Sequence, residues 1–300
     1  MEAPDFRSGF VAVCGRPNVG KSTLVNRLVG QKISITSRRP QTTRHRILGI
    51  RTKADAQLIY VDAPGVLEGG SGGMNQYLNR AAAGGVEGVD CVLLVISVPG
   101  WTDEDAPALA LARRQSSPVV LVINKIDRLA DRTRLLPLTS ESRARMEFAG
   151  IVPVSARTGD GVEALEAAVL AHLPVHPALF PADQVSDRSD RFMAGELVRE
   201  QIFRSFGEEI PYAATVIIDS FRREPRIIRI DATILVEKEG QKAILIGVGG
   251  ARLKEIGRRA RLEMQKLFGS KVYLGLWIKV REGWSDDVRA MRSYGYGDDV

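Results

Sequence analysis

Cysteine is nearly missing from this chain. Cys14 and Cys91 are the only two in 300 residues. Each falls in an apolar run that reads as a central strand, so a disulfide framework is excluded and buried thiols in a reducing cytoplasm are expected. No apolar run reaches the ~18 residues that a bilayer span requires. The opening Met1-Glu2-Ala3-Pro4-Asp5 has neither the basic nor the apolar region of a signal peptide. No internal repeat or low-complexity segment is present. What remains is a chain long enough for two domains, with 44% apolar residues to build two cores. Its net charge of +6 favours an anionic partner.

The most informative residues are Gly15-Arg16-Pro17-Asn18-Val19-Gly20-Lys21-Ser22, which fit the phosphate-loop pattern GxxxxGK[ST]. Phe10 to Cys14 before them reads as a buried strand, and Thr23 to Leu28 after them as a helix. In that context the backbone N–H groups of the loop and of the helix N-terminus converge on an anion. Lys21 adds charge for the β- and γ-phosphates, and the Ser22 hydroxyl is a Mg²⁺ ligand. Asp62-Ala63-Pro64-Gly65 ends a second apolar strand, Leu58 to Val61. Its carboxylate suits Mg²⁺, and the Gly65 N–H can reach a γ-phosphate because no side chain blocks it.

Asn124-Lys125-Ile126-Asp127 follows the strand Val119 to Ile123 and selects the base. A carboxylate at Asp127 accepts from both guanine N1–H and N2–H₂, a donor pair that adenine lacks. Ser155-Ala156-Arg157 follows the domain's last strand and offers backbone to guanine O6. In Pro40-Gln41-Thr42-Thr43-Arg44, one of the two threonines is expected to sense the γ-phosphate through Mg²⁺. The surrounding stretch from Ile33 to His45 is polar and aperiodic, as suits a loop that orders with triphosphate.

Strands are predicted at 9–14, 46–52, 57–62, 90–97, 118–124 and 151–154, with helices near 21–30, 74–85, 103–115, 131–147 and 160–172. This alternation predicts a doubly wound, mostly parallel α/β sheet with helices on both faces, which together with the nucleotide motifs above makes a P-loop GTPase domain. The G domain is placed at 1–173. Three prolines between Leu173 and Pro181 make 174–189 a semi-rigid linker. Beyond it, a helix at 190–207, strands at 212–220 and 227–237, two short helices and a strand at 272–280 give the order αββααβ over 190–283. A tail, 284–300, follows.

Gly247-Val248-Gly249-Gly250 lies between the two short helices. Such a GxxG loop lets a sugar–phosphate backbone pack against protein backbone, clamping about four nucleotides of a single strand in KH modules. Residues 247–281 hold nine Lys/Arg against Glu255 and Glu263, a net of +7, which leaves −1 for the rest of the chain. Lys254, Arg258 and Arg261 share one face of the second helix, and Arg252 lies just after the loop. The loop itself carries no basic residue, so phosphate contact is expected to shift to Arg252 and Lys254.

The nucleotide motifs are spaced as in the translation-factor-related GTPases. With the αββααβ tail and Ile-Gly-Val-Gly-Gly-Ala-Arg-Leu-Lys-Glu-Ile-Gly at 246–257, the chain resembles the Era family of bacterial GTPases over residues 9–292. The resemblance implies a type II KH domain, GTP/GDP and Mg²⁺ as ligands, and hydrolysis of GTP with Lys21, Thr42, Gly65 and Asn18 in the catalytic set. Thr42 is its choice of Mg²⁺ ligand, beside Ser22 and Asp62. It implies that Gly15–Thr23, Asp62–Gly65, Asn124, Lys125, Asp127 and Ser155–Arg157 surround the nucleotide. It also implies K⁺ at Asn18, whose other reading is a loop residue bonding its own backbone.

The implied partner is the 3′ end of 16S rRNA during 30S subunit maturation, held by Gly247–Gly250, Arg252, Lys254, Arg258 and Arg261. A peripheral contact with the cytoplasmic face of the membrane is implied too, although the mixed-charge tail offers little anchoring of its own; packing on the KH domain suits it better. Val66 stands where Ras-like enzymes carry a water-orienting Gln, so intrinsic hydrolysis is expected to be slow. A GTPase of tRNA modification would need catalytic domains not found here. A lipid-binding switch would need charge alone, without the glycines. Nothing in the sequence demands a dimer.

Overall fold

The structure is a computed structural model that describes residues 6–66, 72–207 and 209–297. The signal-peptide reading of Met1–Asp5, the stretch directly after Val66 and the last three residues lie outside the described residues. Among those described, the chain forms two compact units. One is drawn from Met1–Ser34, Thr43–Gly70 and Leu78–Asp187, the other from Ile35–Thr42, Ser71–Tyr77 and Arg188–Val300.

The first unit runs β1 (Arg7–Cys14), α1 (Lys21–Val29), β2 (Ile47–Thr52), β3 (Ala56–Asp62), α2 (Gly73–Gly84, whose first turn belongs to the other unit), β4 (Cys91–Ser97), α3 (Ala106–Arg113), β5 (Val119–Asn124), α4 (Leu135–Arg145), β6 (Gly150–Pro153) and α5 (Val162–Leu170). The six strands form one sheet in the order β2-β3-β1-β4-β5-β6, parallel except for β2 against β3. The central strands β3, β4 and β5 are buried at every position. That explains why they read as continuous apolar runs rather than alternating ones. Cys14 and Cys91 are buried free thiols, both pushed up to about 12 by burial.

Two expectations shift. Helices α3 and α4 begin later than predicted, because a single 3-10 turn precedes each, at Asp103–Asp105 and Arg132–Arg134. The proline-rich segment after Leu173 is bound to the first unit along its length. His176 N donates to Phe6 O at 3.0 Å and Ile50 N to Val185 O at 2.9 Å. The Gln57 amide holds the Leu179 and Phe180 N–H groups and the Phe180 carbonyl.

The second unit contains α6 (Asp190–Ser205), α7 (Ile210–Ala213), β7 (Thr215–Glu224), β8 (Ile227–Val236), α8 (Glu239–Ile246), α9 (Ala251–Phe268), β9 (Val272–Val280) and α10 (Val288–Ser293). Its sheet has the order β7-β8-β9, with β8 and β9 parallel. Ile228, Ile230, Ala232 and Ile234 of β8 and Ile256, Ala260 and Met264 of α9 meet in its core. The short α7 replaces the predicted start of β7, because Pro211 suits a helix's first turn but cannot donate to a ladder.

Trp284 of the tail is fully buried, donates from Nε1 to Ala213 O at 3.0 Å and packs against Tyr294 and Tyr296. The tail is therefore anchored in the core of this unit through Trp284. Trp284→Ala should destabilise this unit by about 3–5 kcal/mol, read by urea unfolding. A loss under about 1 kcal/mol would show that the indole is dispensable.

Candidate functional site

Loop 15–20 leaves the C-terminal end of β1 and opens into α1. Three of its residues have positive φ: Gly15, Gly20 at +104° and Asn18 at +63°. A Cβ on Gly20 would stand 2.4 Å from Asn124 Nδ2, so a glycine is required there for the base-selecting loop to approach. The Asn18 side chain is exposed, and its carbonyl accepts from Lys125 Nζ.

Lys21 is buried and donates to the carbonyls of Gly15 at 2.9 Å and Arg16 at 3.0 Å. Burial pulls its ammonium down to about 8, against the opposing charge of Asp62. Such an ammonium gains from any anion placed beside it.

Asp62 is wholly buried at the end of β3, and neither carboxylate oxygen has a hydrogen-bond partner of good geometry. Burial raises its pKa, against the pull of the Ser34, Ser22 and Thr43 hydroxyls and of Lys21. Buried charge without partners is costly, and a divalent cation removes that cost. The donors present fit Mg²⁺: a carboxylate and hydroxyl oxygens, all hard ligands.

Thr43 Oγ1 lies 2.7 Å from Ser22 Oγ. Thr42 does not share this cluster. Its hydroxyl lies 2.6 Å from Ser37 Oγ and donates to Arg39 O at 2.8 Å, and its carbonyl accepts from Arg199 Nη2 at 2.6 Å. Thr42 was the expected Mg²⁺ ligand; in this structure it is the next residue, Thr43, whose hydroxyl faces Ser22. The segment around them is also less solvated than its polarity suggested. Ile33, Ile35 and Thr42 through His45 are buried, and within the second unit Thr36 N donates to Glu200 Oε1 at 3.0 Å.

Gly65 meets the phosphate loop at close range; a Cβ there would stand 2.9 Å from Pro17 N and 3.1 Å from Lys21 Nζ. Ala63 is buried, and Val66 is half-buried against the apolar core. On the base side, Asn124 joins three loops. Its Nδ2 donates to Val19 O at 2.8 Å, and its Oδ1 accepts from Lys125 N at 2.7 Å and Ala156 N at 3.0 Å. Asp127 Oδ1 accepts from Ser155 Oγ at 2.6 Å, and Oδ2 pairs with Arg157 at 2.7 Å. The Ser155 hydroxyl, then Arg157, hold this carboxyl below the usual range despite some desolvation.

Two long-range contacts left no sequence signal. Arg27 of α1 reaches across to the carbonyls of Ala156 (3.1 Å) and Arg157 (2.5 Å), fixing the third base-side loop. Arg16 pairs with buried Asp105 at 3.1 Å, which anchors the phosphate loop from below. Both partners lie some 90 or more residues away in sequence, where no local pattern connects them.

In the second unit, Gly250, Lys254, Arg258 and Arg261 line one groove of about 560 Å³, closed on its other side by Leu274 and Leu276. Gly249 and Gly250 have φ of +56° and +77° and open space where a Cβ would project. Val248 is almost fully exposed at the loop tip. Arg258 is committed to Glu255 at 2.8 Å. Arg252 does not share the groove. It stacks over Phe206 and lines a separate cavity of about 570 Å³ with Ile210 and Ile244, because it projects from the opposite side of α9.

Comparison with known proteins agrees with both halves. A family model described as 50S ribosome-binding GTPase matches residues 10–125, and a KH domain model matches 209–285. GTPase Era of Stenotrophomonas maltophilia (strain R551-3) is 56% identical over 98% of this chain and 99% of that protein. GTPase Era of Xanthomonas oryzae pv. oryzae (strain MAFF 311018) is 54% identical over 97% of each. Among solved structures, Era in complex with MgGDPNP and nucleotides 1506–1542 of 16S ribosomal RNA matches with a TM-score of 0.94 and 37% identity, over 97% of this chain and 99% of that one. An Aquifex aeolicus Era variant bound to GDP·AlF4⁻ matches equally, over 97% and 100%.

Proposed function

Because the chain belongs to the Era family of GTPases, we propose that it couples GTP hydrolysis to binding of the 3′-terminal region of 16S rRNA, in the service of 30S subunit assembly. The observation that carries the nucleotide half is the buried, unpartnered Asp62 beside Ser22, Thr43 and Lys21. Ser22, Thr43 and Asp62 would hold Mg²⁺, which neutralises charge developing on the transferred phosphoryl group. Lys21 would leave its two carbonyl partners for the phosphates. The Gly65 N–H would meet the γ-phosphate, and Asn124 and Asp127 would read guanine. Val66 cannot polarise water, so hydrolysis relies on charge neutralisation and positioning by the loop, with Asn18 as the place for a K⁺ ion.

The RNA half rests on the Gly250 groove and on the related Era structure that holds rRNA. Lys254 and Arg261 would supply its ionic contacts, since Glu255 already engages Arg258. Among the described residues no helix is long and apolar enough to cross a membrane. We place the protein in the cytoplasm as a monomer, with any membrane contact peripheral.

The test is binding of a fluorescent oligonucleotide from the rRNA 3′ end, with a non-hydrolysable GTP analogue and with GDP. Sequence-preferring binding that Gly250→Asp abolishes is expected, stronger with the GTP analogue. Lys254→Ala should also flatten the dependence of log affinity on log salt by about 0.7. Binding indifferent to sequence and to Gly250 would overturn the RNA reading and favour a lipid-binding basic patch.

A further inference from the structure

We propose that the open face of β9 is a second single-stranded RNA site, a stacking platform for bases of a strand that continues beyond the Gly250 groove. The inference rests on the reading of that groove as an RNA clamp. Side chains alternate along β9. Leu274 and Leu276 line the groove, whereas Tyr273, Gly275, Trp277 and Lys279 project from the opposite face, with Lys271 just before them. On that face Tyr273 is 49% exposed and Trp277 51% exposed, while Trp284 of the same unit is fully buried. A core would have taken these rings; here they lie in water on an edge strand.

The local geometry suits bases. Tyr273 and Trp277 are four residues apart, roughly 13 Å along the strand, so each can take a separate base. Gly275 between them has no side chain, and the Trp277 indole lies across it, with a ring atom 2.8 Å from where a Cβ would stand. Asp231, its partner on β8, reaches to 2.7 Å of the same point. That places a hydrogen-bond acceptor for a base N–H beside the indole. Arg229, paired in register with Tyr273, stands 5.6 Å over the phenol ring and is also held by Glu224.

Two observations favour RNA over other occupants. The face adjoins the groove across a single edge strand: β9 sends Leu274 and Leu276 into the groove and Tyr273 and Trp277 to the opposite side, so an RNA strand leaving the groove reaches the rings by passing over the β9 edge. The charge along the strand is also complementary to phosphate: residues 271–280 contain Lys271 and Lys279 and no acid, while Arg281 just beyond them is turned to Asp287 and Tyr294. The carboxylates on this face come from the neighbouring strands. Asp219 is bonded to Thr233, Glu224 is paired with Arg229, and Asp231 is the acceptor already described. Aromatic rings flanked by lysines are the common composition of sequence-tolerant single-strand binders.

The test uses the full chain and two RNAs from the 16S rRNA 3′ end, a five-nucleotide core and a twelve-nucleotide strand extending it on both sides. The double variant Tyr273→Ala/Trp277→Ala should bind the longer RNA at least ~10-fold more weakly and the shorter one as the wild type does. Trp277→Phe, which keeps a ring, should recover most of the loss. Unchanged affinity for the longer RNA would overturn the platform and leave the face to a protein contact. Equal weakening of both RNAs would overturn it as a separate site. Gly250→Asp should abolish binding of both; if it does not, the groove reading fails, and the variants at 273 and 277 still judge the platform by themselves.

Discussion

Asp127→Asn should weaken GTP binding about 10²–10⁴-fold and turn selectivity toward xanthine nucleotides. A carboxylate accepts from guanine N1–H and N2–H₂, and charge-assisted bonds of this kind contribute roughly 1.5–3 kcal/mol each. Asparagine offers one acceptor and one donor, so its N–H meets the N2 amino group with no acceptor there. Xanthine, with a carbonyl at that position, restores the match. The lower half of the range is expected, because Arg157 already engages Oδ2 and Ser155 engages Oδ1. Guanine therefore exchanges partners rather than adding them. The Ser155 hydroxyl and Arg157 hold the acid below its usual range, so it stays ionised through neutral pH and selectivity should be flat there. Competition of GTP, ATP and XTP against a fluorescent guanine nucleotide measures this directly. Unchanged GTP affinity in the variant would mean that Asp127 does not read the base.

The sheet of the first unit was legible because its central strands are buried on both faces. Such strands must be apolar throughout, and β3, β4 and β5 advertise themselves as unbroken runs, two of them closed by site residues at Asp62 and Asn124. The nucleotide loops were legible for a related reason. Each needs a glycine or a short polar residue at a strand's end, and the backbone then places them together. In the second unit, the alternation along β8 and β9 gave the strands, and the apolar stripe of α9 gave the face that covers them.

What sequence could not supply was side-chain direction decided by distant partners. Arg252 lies two residues past the GxxG loop, yet Phe206 and Ile244 take it to the other side of α9. The segment around Ile35 looked like solvated loop, because its two isoleucines are too few to show a period. Within the second unit, Thr36 and Thr42 of that segment are bonded to Glu200 and Arg199 of α6, more than 150 positions away. The short α7 was hidden by the β-branched residues that follow it.

The adjacent threonines make the sharpest use of that difference. Thr43→Ala should reduce GTP hydrolysis and apparent Mg²⁺ affinity by at least the ~10–100-fold that follows loss of a supporting group at a metal site. Thr42→Ala should leave both within a fewfold of the wild type. The Thr43 hydroxyl faces Ser22 and the buried Asp62, whereas that of Thr42 faces Ser37 and Arg39, and its one link to Arg199 runs through a carbonyl that alanine keeps. Serine at 43 should restore activity, since only the hydroxyl is needed. Proton and metal compete for Asp62, whose pKa is raised by burial. Apparent Mg²⁺ affinity should therefore fall as the pH drops toward that value, in the wild type and in Thr42→Ala alike. A Mg²⁺ titration of single-turnover hydrolysis across pH separates the two residues. If Thr42→Ala lost activity and Thr43→Ala kept it, the loop would have to turn by one residue when the triphosphate binds, drawing Thr42 off Ser37 and Arg39. The contacts now holding Thr42 would then restrain that movement, and removing the Ser37 hydroxyl should speed it.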